Sequence, residues 1–240
     1  MTEARQSRTL PFRKPGFGHM KLDAVDVRQA ASAADIVYEA LRKAIIEGEL
    51  AEGQNLRQDQ IAQMFNTSRI PVREALSRLE QEGLITTQRY KGAVVAGLSI
   101  EEIEEIFEFR AMLEAEVMRL AVPNMDRRTL DAARAYCKEF GREPDPAKWG
   151  ETNRRFHYSL YEAARRPYYL QIVRGSLDRI DRYLRAQLSL TDGVQRAKRE
   201  HEAILEACLA GDAELASRLT RDHVLDAGRS LVVFLREERS

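Results

Sequence analysis

Three of the chain's four histidines, His157, His201 and His223, fall in its C-terminal half, each on an apolar stripe of a different expected helix. His157 is in register with Asn153, Leu160 and Ala164, His201 with Val194, Leu205 and Cys208, and His223 with Ala216, Leu219 and Ala227. A lone histidine on such a face is ordinarily a hydrogen-bonded core residue. Three neutral imidazoles converging on an apolar interior are hard to satisfy with hydrogen bonds alone, whereas one divalent ion takes all three. Asn153, one helical turn before His157, adds an oxygen ligand to the set.

A second group of residues suits a different chemistry. In the run Ser68-Arg69-Ile70-Pro71-Val72-Arg73-Glu74-Ala75-Leu76, two arginines stand one turn apart at the start of a helix. Ser68 is a good N-cap, and Pro71 sits in the first turn, where its missing N–H has no intrahelical acceptor to lose. Val72, Ala75, Leu76 and Leu79 recur at helical spacing and face a core, leaving Arg69, Ile70, Arg73 and Ser77 outside. Like charges at i,i+4 cost about 0.2–0.5 kcal/mol in an isolated helix, which the phosphates or guanine edges of a polyanion would offset. The alternative is an ordinary solvated face.

The flanking elements are those needed to present that helix. Ala33 to Glu47 reads as a helix with Ile36, Val37, Ala40, Leu41, Ala44 and Ile45 as its stripe, stopped by Gly48. Gln58 to Phe65 is a short second helix, followed by Asn66-Thr67, and Asn tolerates a left-handed turn better than other non-glycine residues. After Gly83, Leu84 to Thr87 and Ala93 to Val95 form two short strands around Gln88-Arg89-Tyr90-Lys91-Gly92, a hairpin with a basic tip. The expectation is a winged helix-turn-helix of three helices and a β-hairpin wing.

The strand pattern ends near Leu98, and Ser99-Ile100-Glu101-Glu102 opens a helix as a capping box. Beyond it the pattern is helical throughout: a long helix marked by Ile103, Ile106, Phe107, Met112, Leu113, Val117 and Leu120 and ended by Pro123, then five more. Gly211-Asp212 is a stop followed by an N-cap. With no repeat of 20–50 residues, the mostly α chain is expected to end in an all-α bundle of six or seven helices.

Composition narrows the function classes. No apolar run is long enough to span a membrane, the first 30 residues lack a signal-peptide stretch, and Cys137 and Cys208 are widely spaced, so a cytoplasmic protein is expected. The 38 basic and 38 acidic residues cancel, and residues 31–98 carry eight Lys or Arg against nine Asp or Glu. With no overall field, binding to a polyanion rests on a few placed contacts and on dimerisation. Residues 1–30, mixed in charge and broken by Pro and Gly, read as a flexible extension.

Residues 33–98 resemble the winged helix-turn-helix of GntR-type bacterial transcription regulators, through the Ser68 to Leu76 run and the Leu79 to Leu84 stretch that follows. The resemblance implies that Arg69 and Arg73 read the major groove of an operator, with Ser68 and Ile70 contributing near the helix start. It brings Arg89, Lys91 and Gly92 of the wing to the minor groove or backbone, while Arg57 is a weaker candidate for a phosphate contact. Ile70 departs from the usual Thr and removes a hydroxyl donor.

Residues 99–240 resemble the FCD effector-binding and dimerisation domain of the FadR subfamily, in which an Asp and three His hold a zinc- or nickel-like metal. His157, His201 and His223 match that pattern. The aspartate is replaced by Asn153, which supplies an oxygen without a charge and leaves more positive charge for an anionic ligand to neutralise. Arg165-Arg166 also depart, from a usual Gly-Asn. Arg110 matches an arginine that the resemblance assigns to a carboxylate effector, although a salt bridge to Glu114 at i+4 is an equal reading. Arg179 and Arg182 are further cationic candidates.

The expectation is a homodimeric, ligand-responsive repressor, divided as residues 1–30, 31–98 and 99–240, that leaves a palindromic operator when a small organic acid binds beside the metal. One alternative keeps DNA binding but makes the bundle a metal-free receptor for a larger ligand such as an acyl thioester. Another makes the helical half a metal-dependent hydrolase, for which no His-Glu-x-x-His spacing supplies a general base.

Overall fold

The computed structural model describes residues 32–190 and 193–238, so the expected extension over residues 1–30 lies outside the described residues. Helix α1 (Ala33–Ile46) opens with a capping box in which Ser32 Oγ accepts the Asp35 N–H at 3.1 Å and Asp35 Oδ2 accepts the Ser32 N–H at 3.2 Å. Helices α2 (Gln58–Met64) and α3 (Arg69–Gln81) follow, with Asn66 between them at φ 48°, the left-handed conformation expected of it. Strands β1 (Ile85–Gln88) and β2 (Gly92–Val95) pair antiparallel from Ile85↔Val95 to Gln88↔Gly92. The segment between α1 and α2 lies along the outer edge of β2, where Leu56 N–H donates to Ala93 O at 2.8 Å and Val95 N–H to Gln54 O at 2.9 Å. This leaves the wing braced at its base.

The core of this first part joins Val37, Leu41 and Ile45 of α1 to Val72, Ala75, Leu76 and Leu79 of α3 and to Ile85 and Val95. Those four α3 residues are the ones the 3.6-residue spacing assigns inward. Ser68 has the extended backbone of an N-cap, but its hydroxyl accepts no N–H from the helix. Ile36 is exposed, contrary to the expected stripe: the inward face of α1 lies slightly round from it, at Ala34, Val37, Tyr38 and Leu41. Tyr38 can be buried because its hydroxyl donates to Glu82 Oε1 at 2.6 Å.

Six helices follow: α4 (Ile100–Ala121), α5 (Arg127–Phe140), α6 (Pro146–Tyr161), α7 (Pro167–Leu190), α8 (Gly193–Leu209) and α9 (Ala213–Glu238). Single 3-10 turns, Val122–Asn124 and Glu162–Ala164, extend α4 and α6. A capping box at Ser99 and Glu102 starts α4, and Gly211 at φ 71° followed by Asp212 as cap separates α8 from α9, both as expected. Arg165 takes the left-handed conformation at φ 53°, which a glycine would adopt more easily. Met112, assigned to the core by periodicity, is exposed; the inward face of α4 instead carries the charged residues Arg110 and Glu114. Helices α4 and α9 run in close contact because Gly228 has no side chain, and a Cβ there would lie 2.6 Å from Cγ of Phe107.

Helix α7 joins the two parts. Asp178 forms an ion pair with Arg42 of α1 and accepts from Arg154 Nη1 of α6 at 2.7 Å. Tyr183 Oη accepts the Leu98 N–H at 2.9 Å and donates to Glu52 Oε2 at 3.0 Å. Arg182 donates to the Ala96 carbonyl, and Arg179 lies 3.6 Å from Glu102. Both arginines, expected as effector candidates, therefore brace the junction with the winged helix, because their positions on α7 turn them towards that side of the bundle.

Candidate functional site

Helices α6, α8 and α9 bring His157, His201 and His223 together, with ring centroids 4.8–5.0 Å apart and one nitrogen of each within 4.8 Å of the others. All three are buried, and His201 is completely so. Burial holds the pKa values of His157 and His201 well below the usual 6.5; neighbouring positive charge adds to this, from His223 and Arg110 on His157 and from the other two histidines on His201. Both rings are therefore neutral at pH 7 and have a lone pair to offer.

The hydrogen bonds behind these rings determine which nitrogen carries it. Tyr161 Oη lies 2.8 Å from Glu114 Oε2 and 3.3 Å from His157 Nδ1. Burial and Glu114 push the phenol pKa well above 10, so its single proton is retained and goes to the carboxylate. His157 Nδ1 must then donate to the phenol oxygen, which leaves Nε2 as the acceptor. His223 Nδ1 lies 2.7 Å from Glu200 Oε2, a bond that puts a proton on Nδ1 and leaves Nε2 as the nitrogen that could ligate an ion. Both nitrogens of His201 are buried without a hydrogen-bond partner among the described residues, between Phe140 and Phe156 at centroid distances of 4.7 and 4.5 Å. An imidazole left without partners in an apolar wall carries a desolvation cost that a coordinated ion would remove, so the residues present fit a metal.

Next to the histidines is a cavity of about 50 Å³, lined by Asn153, Arg110, Arg196 and Glu200 and by apolar residues including Phe107 and Leu177. Asn153 is on its wall, one turn from His157 as expected, and its side chain has no hydrogen-bond partner among the described residues. Arg110 Nε donates to Glu114 Oε1 at 2.7 Å, the salt bridge of the second reading, and its side chain also lines the cavity. Sequence reasoning missed Tyr161 and Glu200, and of Glu114 it named only the bond to Arg110 and not the one to Tyr161. Glu114 and Glu200 touch residues on other helices, 47 and 23 positions away, and no periodicity reports such pairs.

In the winged part, Arg69, Ile70, Arg73, Arg57, Arg89, Lys91 and Gly92 are all exposed, and with Ser68 they lie at the start of α3, the start of α2 and the wing tip. Arg69 forms an ion pair with Asp59 of α2, while Arg73 has no ion-pair partner among the described residues. Exposed Met64 and Tyr90 extend this face and were not among the expected contacts.

A winged helix-turn-helix followed by a helical bundle with a cavity beside its histidines is the arrangement of a DNA-binding transcription regulator. Residues 33–95 match the family described as bacterial regulatory proteins, gntR family, and residues 105–226 match the FCD domain. The chain belongs to the gntR family and carries an FCD domain. It is 29% identical over 199 residues to the HTH-type transcriptional repressor GlaR of Escherichia coli, covering 78% of this chain and 90% of that protein. To the gluconate operon transcriptional repressor of Bacillus licheniformis it is 30% identical over 183 residues, covering 73% and 75%. The crystal structure of a GntR-family transcriptional regulator from Pseudomonas syringae pv. tomato is similar at 31% identity and a TM-score of 0.54, covering 86% of this chain and 87% of that one. Among the described residues no helix is long and apolar enough to cross a membrane.

Proposed function

We propose that this regulator is a homodimeric repressor whose operator affinity is controlled by a small organic acid bound beside a divalent metal. In this reading residues 31–98 are the DNA-binding head, and residues 99–240 bind the effector and dimerise. Two-fold symmetry lets two small heads add their contacts on a palindromic operator. Arg69 and Arg73 face the major groove, with Ser68 and Ile70 beside them; Arg57 meets a phosphate, and Arg89, Lys91 and Gly92 meet the groove next to it. The word repressor comes from the two relatives named above, both of which carry it in their names.

The observation that carries the effector half is the partnerless His201 within a set of three converging imidazoles. His157, His201 and His223, with the Asn153 carbonyl oxygen, would hold zinc or nickel, which when bound supplies a Lewis-acid anchor for a carboxylate. Arg110 supplies a second, cationic contact at the cavity wall. A cavity of about 50 Å³ holds a few water molecules and weighs against an acyl thioester as the ligand.

Two experiments test the two halves. Arg73→Ala is expected to lose about 1–3 kcal/mol of specific binding, roughly 5- to 150-fold in affinity, with unchanged helical circular dichroism. Undiminished binding to a duplex selected by the wild-type protein from a randomised library would remove α3 as the reading helix. A thermal-shift screen of small carboxylates, with and without zinc or nickel, is expected to give stabilisation that depends on metal. Carboxylates that act equally well without it would remove the metal from the site.

A further inference from the structure

The tip of the wing holds a tyrosine in a conformation that tyrosine disfavours. Strand pairing ends at Gln88↔Gly92, which leaves Arg89, Tyr90 and Lys91 as the loop. Lys91 N–H donates to Gln88 O at 3.2 Å, closing a turn in which Tyr90 is the third residue, at φ 69°. A positive φ at that position is the mark of a type II turn, where Gly or Asn is the residue of choice. A tyrosine there adds steric strain.

Burial does not repay that strain, because the Tyr90 side chain is 92% exposed and contributes nothing to the core. The loop is nevertheless held in place: Asn55 Nδ2 donates to the Lys91 carbonyl at 2.6 Å, and the Arg89 guanidinium carbon lies 5.1 Å from the Tyr90 ring centroid. A strained backbone on a braced loop, presenting a large exposed ring between two cations, is arranged for a partner and not for stability. The cations specify a polyanion, and the ring specifies an apolar surface within it.

We propose that Tyr90 is a specificity-determining contact of the wing, its ring packing against the deoxyribose faces that line the DNA minor groove while Arg89 and Lys91 meet the phosphates on either side. The minor groove is roughly 6 Å wide, which admits the edge of a ring but not a helix. Its A·T and G·C pairs differ there chiefly by the guanine amino group, so a ring seated in the groove senses its width and depth. This proposal rests on α3 being the helix that reads the operator.

The test uses the full-length protein and a duplex it selects from a randomised library. Tyr90→Gly should raise the melting temperature, because it relieves the strained turn, and yet lower affinity about tenfold or more; Tyr90→Phe should keep affinity within about twofold. The logarithmic salt dependence should be unchanged in Tyr90→Gly, since the ring neutralises no phosphate, and should fall by about one in Arg89→Ala or Lys91→Ala. Replacing adenine by 2,6-diaminopurine in the flanks of the duplex, which puts an amino group into the minor groove, should weaken the wild type and leave Tyr90→Gly indifferent. If Tyr90→Gly binds as tightly as wild type while Arg73→Ala does not, the tyrosine contact is overturned and the reading helix stands. If both variants bind like wild type, or no duplex is selected at all, the two fall together.

Discussion

Nδ1 of His223 lies 2.7 Å from Oε2 of Glu200, and the other oxygen of that carboxylate lies 3.4 Å from Nε of Arg196. The carboxylate holds the imidazole in one orientation through Nδ1, so that Nε2 is the nitrogen that could ligate an ion. Partners of this kind typically govern metal affinity by a factor of about 10–100. Glu200→Gln is therefore expected to weaken zinc binding by that order while leaving the circular dichroism spectrum unchanged. Competition against a chromophoric chelator measures it, and equal affinities would show that the ring needs no such anchor.

Asn153 is expected to contribute an oxygen without a charge. Asn153→Asp adds a negative charge to a set that is otherwise neutral, and should raise affinity for a divalent ion about tenfold or more, roughly 1.4 kcal/mol. It should at the same time weaken metal-dependent binding of small carboxylates, because the site then has less positive charge left to neutralise. An unaltered metal affinity would mean that the side chain does not reach the ion.

The buried histidines also make stability depend on pH. His157 and His201 have folded-state pKa values held well below 6.5 by burial, so below that pH the unfolded chain takes up protons that the folded chain refuses. Stability of the chelator-treated protein is then fully present above about pH 6.5 and is lost as the pH falls through and below it. Urea denaturation midpoints at pH 8.5, 7.5 and 5.5 should be nearly level between the first two and fall at the third. His201→Leu should flatten that fall, and a midpoint that rises on acidification would contradict the assignment.

Asp178 is shared by Arg42 of the winged part and Arg154 of α6, the helix that carries Asn153 and His157. Asp178→Asn leaves two arginines facing a neutral amide and should cost about 1.5–3 kcal/mol of folding stability. The same change should reduce any shift in DNA affinity produced by metal and carboxylate, because it removes a direct link between α6 and α1. A variant that keeps the full response would show that the signal takes another route.

Local chemistry made much of the fold legible from sequence. The caps at Ser99 and Asp212, the stops at Gly48, Gly83 and Gly211, and the inward residues of α3 each depend on neighbours a few positions away. Periodicity failed at the margins of a stripe. Ile36 and Met112 lie where a turn of the helix by part of a residue decides between core and solvent, and buried Tyr38, Arg110 and Glu114 occupy the core side because each has a polar partner there. The three histidines could be read because each lies on an apolar face of its own helix. Glu200 and Tyr161 could not, since what matters about them is the distance to a ring that only tertiary packing sets.

In the proposed complex Arg69 would meet DNA while paired with Asp59 on the preceding helix. A lone phosphate offers that side chain little more than an exchange of one anion for another. The planar pair of acceptors on a guanine edge offers two parallel hydrogen bonds, which a single carboxylate contact does not match. In the proposed complex Asp59 would thus temper the attraction of Arg69 to arbitrary sequence and leave its two-bond contact for sites that present the right base.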